Sequence, residues 1–309
     1  MATTYVWNGS SDGDYDVPAN FTPARNTPAV DDIIQITQGA GPNDWMTGPA
    51  SPETIGSLIF SEAGTGNFLP ADATNLTVTG AANILDGWGG GSIVGTYQGE
   101  LTIQHGPGTD FDGTATGPLI VSSGWGSLSD PLDFSGGDIS GVDSIAINSG
   151  GMVGEGNFPD VQTTVNSGGY ILRGVWAGPV TFKSGSTCGH GSAMTSPEFD
   201  GDVTFQSGAN LNDINADGDV TFKSGTWNLT VQHFWPWDFA GDVYLEGGDF
   251  NVTANPLGFN CVGKVYVQDK TMTPKIAVIS GVGGACNFEV DMSELPAPAG
   301  GGGGMLMPL

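Results

Sequence analysis

One short unit recurs along this chain and restricts what it can fold into. It is plainest in Val180-Thr-Phe182-Lys-Ser-Gly185, Val203-Thr-Phe205-Gln-Ser-Gly208 and Val220-Thr-Phe222-Lys-Ser-Gly225: apolar, variable, apolar, polar, small, glycine. Weaker copies centre on Ile36, Phe60, Val78, Ile103, Val121, Ile147, Val165, Leu245 and Val267, which with Phe182, Phe205 and Phe222 makes twelve. The centres lie 17 to 26 residues apart, with a mean of 21. That is the length of one coil of a parallel β-helix, and it leaves no room for helices of ordinary length.

Strand alternation sends the residue after each inward centre to the outside. Those residues are Thr37, Ser61, Thr79, Gln104, Ser122, Asn148, Asn166, Lys183, Gln206, Lys223, Glu246 and Gln268, and all are polar. In nine of the twelve copies a glycine stands three residues after the centre, where the chain must turn a corner and positive φ is cheap for glycine. Two independent positions thus agree with one register. The sequence predicts an all-β chain, a single-stranded parallel β-helix (solenoid) of about twelve rungs. At about 4.8 Å per rung it would be a rod on the order of 55 Å long.

Three segments follow: an N-terminal cap over residues 1–32, the β-solenoid over 33–292, and a Gly-rich tether with an apolar docking tail over 293–309. A solenoid needs its ends covered, because they present unpaired strand edges. From Ser293 the repeat stops; five glycines at 300–304 then precede Met305, Leu306, Met307, Pro308 and Leu309. A glycine run is a flexible tether, so Met305, Leu306, Met307 and Leu309 are expected to dock in a partner.

Composition narrows the function. With 33 Asp+Glu against 7 Lys+Arg the formal net charge is −26, which repels phosphate backbones, so no nucleic acid partner is expected. No apolar run approaches the ~18 residues of a membrane span, so no membrane insertion is expected. Met1-Ala-Thr-Thr4 leads directly into Tyr5-Val-Trp7 without the basic and apolar regions of a secretory signal. Three cysteines, Cys188, Cys261 and Cys286, are too few for a disulfide framework. Synthesis in a cytoplasm is the expectation.

Three constellations could carry chemistry. Asp200-Gly-Asp202 and Asp217-Gly-Asp219 are 17 residues apart, one local rung, so their carboxylates should stack, with Asp242 continuing the column. Stacked like charges are unfavourable unless splayed into water or bridged by an ion such as Ca²⁺. The alternative is an acid and base for sugar cleavage, which needs two carboxyls about 5 to 9.5 Å apart beside a groove. The second constellation is His233-Phe234-Trp235-Pro236-Trp237-Asp238-Phe239, where Phe234, Trp235 and Trp237 offer flat faces to a glycan or a protein hot spot, or pack on the solenoid flank. The third is Cys188-Gly-His190, which lacks the further ligands zinc wants. His105 is isolated as well. Cys261 and Cys286, 25 apart, could be stacked neighbours as buried thiols. No nucleotide-binding glycine loop or nucleophile triad stands out. No catalytic residue and no cofactor are therefore expected, and the metal question stays open.

Trp7-x-Gly9, Gly13-Asp-Tyr15, Asn20-Phe21-x-Pro23, Pro28 and Asp32-Ile-Ile34-x-Ile36 resemble the opening segment of bacterial surface and phage-borne β-solenoids. The short apolar tip behind a glycine run is similar to tails of phage virion proteins that tie subunits to a shell or fibre. The resemblance implies a virion structural protein, a capsid decoration or fibre subunit assembled in a host cytoplasm. By analogy it would be a homo-oligomer, a trimer, with other virion or assembly proteins as partners and a role in host attachment. The alternatives are an extracellular or cell-surface adhesin that binds cell-surface glycan through the aromatic stretch, and a polysaccharide depolymerase.

Overall fold

The computed structural model describes residues 2–7, 15–36, 48–60, 73–85, 92–105, 108–123, 131–189, 196–212, 214–230, 237–253, 259–261, 265–267 and 276–280. The chain is all-β and forms a parallel β-solenoid, with two single-turn 3-10 helices among the described residues, at Pro18–Asn20 and Ala73–Asn75. Among the described residues no helix is long and apolar enough to cross a membrane.

The front of the solenoid is a 15-stranded sheet that runs from Phe21–Thr22 and Thr4–Trp7 at one end to Val265–Val267 at the other. Its repeat strands pair in parallel and in register, Val165 on Phe182, Phe182 on Phe205 and Phe205 on Phe222. Ile36, Ile103, Val121, Ile147, Val165, Phe182, Phe205 and Phe222 are all buried, as expected of inward centres. Leu245 is partly buried against the same core. Outward neighbours bond from coil to coil. Asn166 Nδ2 donates to Asn148 Oδ1 at 2.8 Å, and Lys223 Nζ lies 2.7 Å from Glu246.

One centre is corrected. Val78 belongs to a second sheet, where it pairs with Ile55 and Tyr97. The front column instead passes through Ile84, which pairs with Ile103. Leu76-Thr-Val78 and Ala82-Asn-Ile84 have the same alternation, and Gly80 is the corner between them. Pattern alone could not say which triplet faced which side.

The number of rungs is also corrected, to about eight turns rather than about twelve. From Ser92 onward a coil has three faces, as in Ser92–Ile93, Thr96–Tyr97 and Leu101–His105. Before Ser92, among the described residues, Thr4–Trp7 and Ile33–Ile36 have a ladder on the front face alone, and the next two coils add one further face, Glu53–Ile55 and Leu76–Val78. Counting front strands therefore overcounts closed turns.

Two glycine positions make the corners. Gly150, Gly168, Gly185 and Gly208, each three residues after a centre, have φ between 75° and 84°, which a side chain would strain. The second position precedes the front strand, at Gly56, Gly80, Gly99, Gly117, Gly178, Gly201, Gly218 and Gly241. There a Cβ on Gly218 would run into the Gly201 carbonyl of the coil below. Close stacking of backbone on backbone excludes any side chain at this corner.

At the N-terminal end, Phe21–Thr22 pairs antiparallel with Val6 and Trp7 and covers the outer edge of Thr4–Trp7. An edge blocked by a two-residue strand offers little template for another chain. Residues 293–309 lie outside the described residues.

Candidate functional site

The carboxylate corner grows from a motif repeated three times, Gly201-Asp202-Val203, Gly218-Asp219-Val220 and Gly241-Asp242-Val243. The valines are inward and in register, so each Asp sits at the start of its front strand. Asp202 Oδ1 accepts the Asp219 backbone N–H at 3.0 Å, and Asp219 Oδ1 accepts the Asp242 backbone N–H at 2.9 Å. Asp202 and Asp219 thus each meet a donor from the next coil instead of meeting only a like neighbour, which relieves the stacking of charges without an ion.

The expected single column is therefore two. Asp200 and Asp217 leave the ladder: their backbone N–H groups bond Trp176 O and Phe199 O at 2.9 and 2.8 Å, and their side chains are exposed. With Glu198, also exposed, they bring carboxylate oxygens within 4.8 Å of one another. Glu198 and Asp200 flank inward Phe199 and so share the outer face, and Asp217 stacks on Asp200 because Ala216 pairs with Phe199. Among the described residues this is the group that could supply hard oxygen ligands to a cation.

The ladder has a direct test. Asp219→Ala removes an acceptor from the Asp242 N–H and should cost about 1 kcal/mol in urea unfolding. Asp219→Asn keeps an acceptor oxygen and deletes a repulsive charge, so its midpoint should match the parent's or exceed it.

The other sequence candidates fare differently. Phe234, Trp235, Pro236 and His233 lie outside the described residues. Trp237 opens the strand Trp237–Phe239, whose backbone pairs with Asn215–Ala216 and Phe259–Cys261, so the aromatic stretch rejoins the coil at Phe239, which is fully buried. Cys188 is buried and inward between Ile171 and Leu211, while His190 lies outside the described residues, as do Cys286, Met305, Leu306, Met307 and Leu309.

Sequence reasoning missed a buried polar cluster in the cap. Arg25, 4% exposed, places Nε 2.9 Å from Asp32 Oδ2 and Nη1 2.6 Å from Glu53 Oε1. Tyr15 donates its hydroxyl to Glu53 at 2.8 Å, and Asp32 Oδ2 also accepts the Ala29 N–H at 2.9 Å. The guanidinium lies over the rings of Tyr5, Tyr15 and Phe21 at 5.4 to 5.9 Å, within cation–π range. Burial disfavours the Arg25 charge, but Tyr15, Glu53 and Asp32 outweigh it and hold the group above its usual range. Burial and then Glu53 push the Tyr15 hydroxyl up, which keeps it a neutral donor. The signal was available: between Asp16 and Asp31, Arg25 is the one charged residue.

No family model, curated protein or solved structure matches the chain.

Proposed function

We propose that the chain is a structural β-solenoid of a virion-type assembly, a decoration or fibre subunit attached through residues 293–309. The observation that supports this reading most is where the polar side chains are spent. Asp202 and Asp219 bond the backbone of the next coil, Asn148 and Asn166 bond each other, and Lys223 bonds Glu246. These groups hold coil to coil, as a load-carrying rod needs, while Glu198, Asp200 and Asp217 stand together on an exposed surface. Fold alone does not imply function, so the reading also leans on the apolar segment behind the glycine run and on the sequence resemblance of the cap.

The test is incorporation into the native particle. Deleting residues 300–309 should leave circular dichroism and melting unchanged, because the solenoid repeat ends before them, and should abolish incorporation. Equal incorporation of truncated and full-length protein would refute attachment through this segment. Electron microscopy of the particle, labelled at the solenoid, would show the subunit's position and oligomer order, with a trimer expected.

A further inference from the structure

The outer face of the front sheet differs in charge from the rest of the chain. Eight strands, from Leu101–His105 to Val243–Thr253, pair in parallel one after the next, so their outward side chains stand in two columns. One runs from Ile120 to Thr221 through Thr164, Thr181 and Thr204. The other runs from Ser122 to Lys223 through Asn166 and Lys183, then reaches Glu246, which Lys223 bonds. All are half-buried, so part of each still faces outward. Glu246 is the one acid in either column, in a chain of 33 Asp+Glu. Exposed acids stand around the other two faces instead, as Asp112, Asp138, Glu155, Glu198, Asp200 and Asp217 do.

In a chain of net charge −26, copies repel wherever their acidic faces approach, and the front face is where they meet at the least electrostatic cost. Its size suits that contact. Eight strands about 4.8 Å apart, each presenting about five residues of about 3.3 Å, cover on the order of 600 Å². Two such faces would bury about 1,200 Å² together, the lower bound for a specific interface. The charges also fall in one half of the face. Lys183, Lys223 and Glu246 are on the last four strands. Of the residues directly preceding the strands, Asp202, Asp219 and Asp242 belong to the last four as well, and the first four have Glu100 as their one acid.

We propose that two copies of this chain pair front face to front face, antiparallel, about a two-fold axis between Thr163–Val165 and Val180–Phe182. The charged half of each copy then lies on the uncharged half of the other. Lys183 faces Asn166 of the second copy and Lys223 faces its Ser122, so each ammonium meets an oxygen acceptor. Thr181 faces Thr164, and the Thr221 methyl faces Ile120. Asp202 and Asp219, which already accept backbone N–H groups, come opposite Ser144 and Pro118; one acid pair, Asp242 and Glu100, is left at each end. Such an interface is isologous and closed. It goes beyond attachment through residues 293–309, does not depend on it, and sets two copies where analogy alone gave a trimer.

Sedimentation velocity on the full chain tests the pairing. The parent should be a concentration-dependent dimer, and Thr164→Glu with Thr181→Glu, which sets carboxylates across the axis, should weaken it at least tenfold. Asn157→Glu with Asn210→Glu, at exposed sites on the other faces, should leave it unchanged. Circular dichroism of the variants at a concentration where the parent is monomeric should match the parent's, which keeps folding out of the result. Cross-linking gives the geometry without added charge. Thr164→Cys mixed with Thr181→Cys should join between copies on oxidation, above the parent's background. Thr221→Cys should not join to itself, because five rungs, about 24 Å, separate the two positions. A monomeric parent, undiminished association of the Thr164 and Thr181 glutamate variant, equal loss in the Asn157 and Asn210 variant, or self-joined Thr221→Cys would each overturn the pairing. Deleting residues 300–309 separates the two readings. A dimer lost with that segment would overturn pairing through the front face, whereas a dimer that persists while the truncated chain enters the particle normally supports the pairing and refutes attachment through the tail.

Discussion

Phe205→Ala should lower the unfolding free energy by about 3 to 5 kcal/mol, measured by urea denaturation. Phe205 is fully buried, with Phe182 stacked on one side at 4.8 Å, Phe222 on the other at 5.3 Å and Trp227 edge-on at 6.3 Å. A cavity costs most where the surroundings cannot collapse. Here the Val203 to Phe205 strand is ladder-bonded above and below, so the spacing of the coils is fixed by backbone and the void must persist. Phe205→Leu refills much of it and should cost under about 1.5 kcal/mol. Thr204→Ala, on the outward side of the same strand, should stay within about 0.5 kcal/mol. A loss as large at Thr204 as at Phe205 would mean that the register is wrong by one residue. Because each coil touches chiefly its neighbours, the damaged coils could also unfold ahead of the rest, seen as a second transition.

Much of this architecture was legible because the strand period of two and the coil period act together. Val-x-Phe repeated with a polar residue after it admits one register, and the stacked Phe182, Phe205 and Phe222 confirm it. What was misread had a physical reason in each case. Val78 and Ile84 both lie in apolar–polar–apolar triplets, so alternation could not tell the front face from the second; the Gly80 corner, set on Gly56 below it, is what separates them. That corner glycine was itself a repeated signal, two residues before the first inward residue of a front strand, as in Gly201 before Val203 and Gly218 before Val220. The turn count was too high because a strand in the front ladder does not require a closed three-sided coil.

The carboxylate corner was legible in placement and not in chemistry. Spacing correctly stacked Asp202 on Asp219 and Asp200 on Asp217. Whether a stacked Asp repels its neighbour, binds an ion or accepts a backbone N–H depends on which way it points. The one-residue glycine between Asp200 and Asp202 sends the first outward to Glu198 and leaves the second in the ladder. The Arg25 cluster was harder still, since its partners Tyr15, Asp32 and Glu53 are brought together by the cap's fold and share no periodic spacing.

Arg25→Met should cost about 3 to 5 kcal/mol, by the same measurement, and should act on the cap before the coils. The methionine keeps most of the aliphatic stem among Tyr5, Tyr15 and Phe21, so lost packing is a minor part of the effect. What remains is Asp32, 1% exposed, and Glu53 without their cation. A buried charge stripped of its partner is far worse than a buried pair never built. The triple substitution Arg25→Met, Asp32→Asn, Glu53→Gln should therefore recover most of the loss, although the single change at Arg25 removes fewer charges. Arg25→Lys should fall between, because an ammonium cannot reproduce the fork that reaches Asp32 through Nε and Glu53 through Nη1. Asp32 also accepts the Ala29 N–H, so its displacement would loosen the loop from Ala29 to Asp32 and then the cover that Phe21–Thr22 places on Thr4–Trp7. Amide exchange at Val6 and Trp7 in Arg25→Met should rise well before exchange at Val203 to Phe205. Uniform acceleration along the ladder would instead make Arg25 a support of the whole solenoid. If the cap opens first, the exposed edge of Thr4–Trp7 becomes a template for another chain, and the variant should aggregate at temperatures where its coils are still folded.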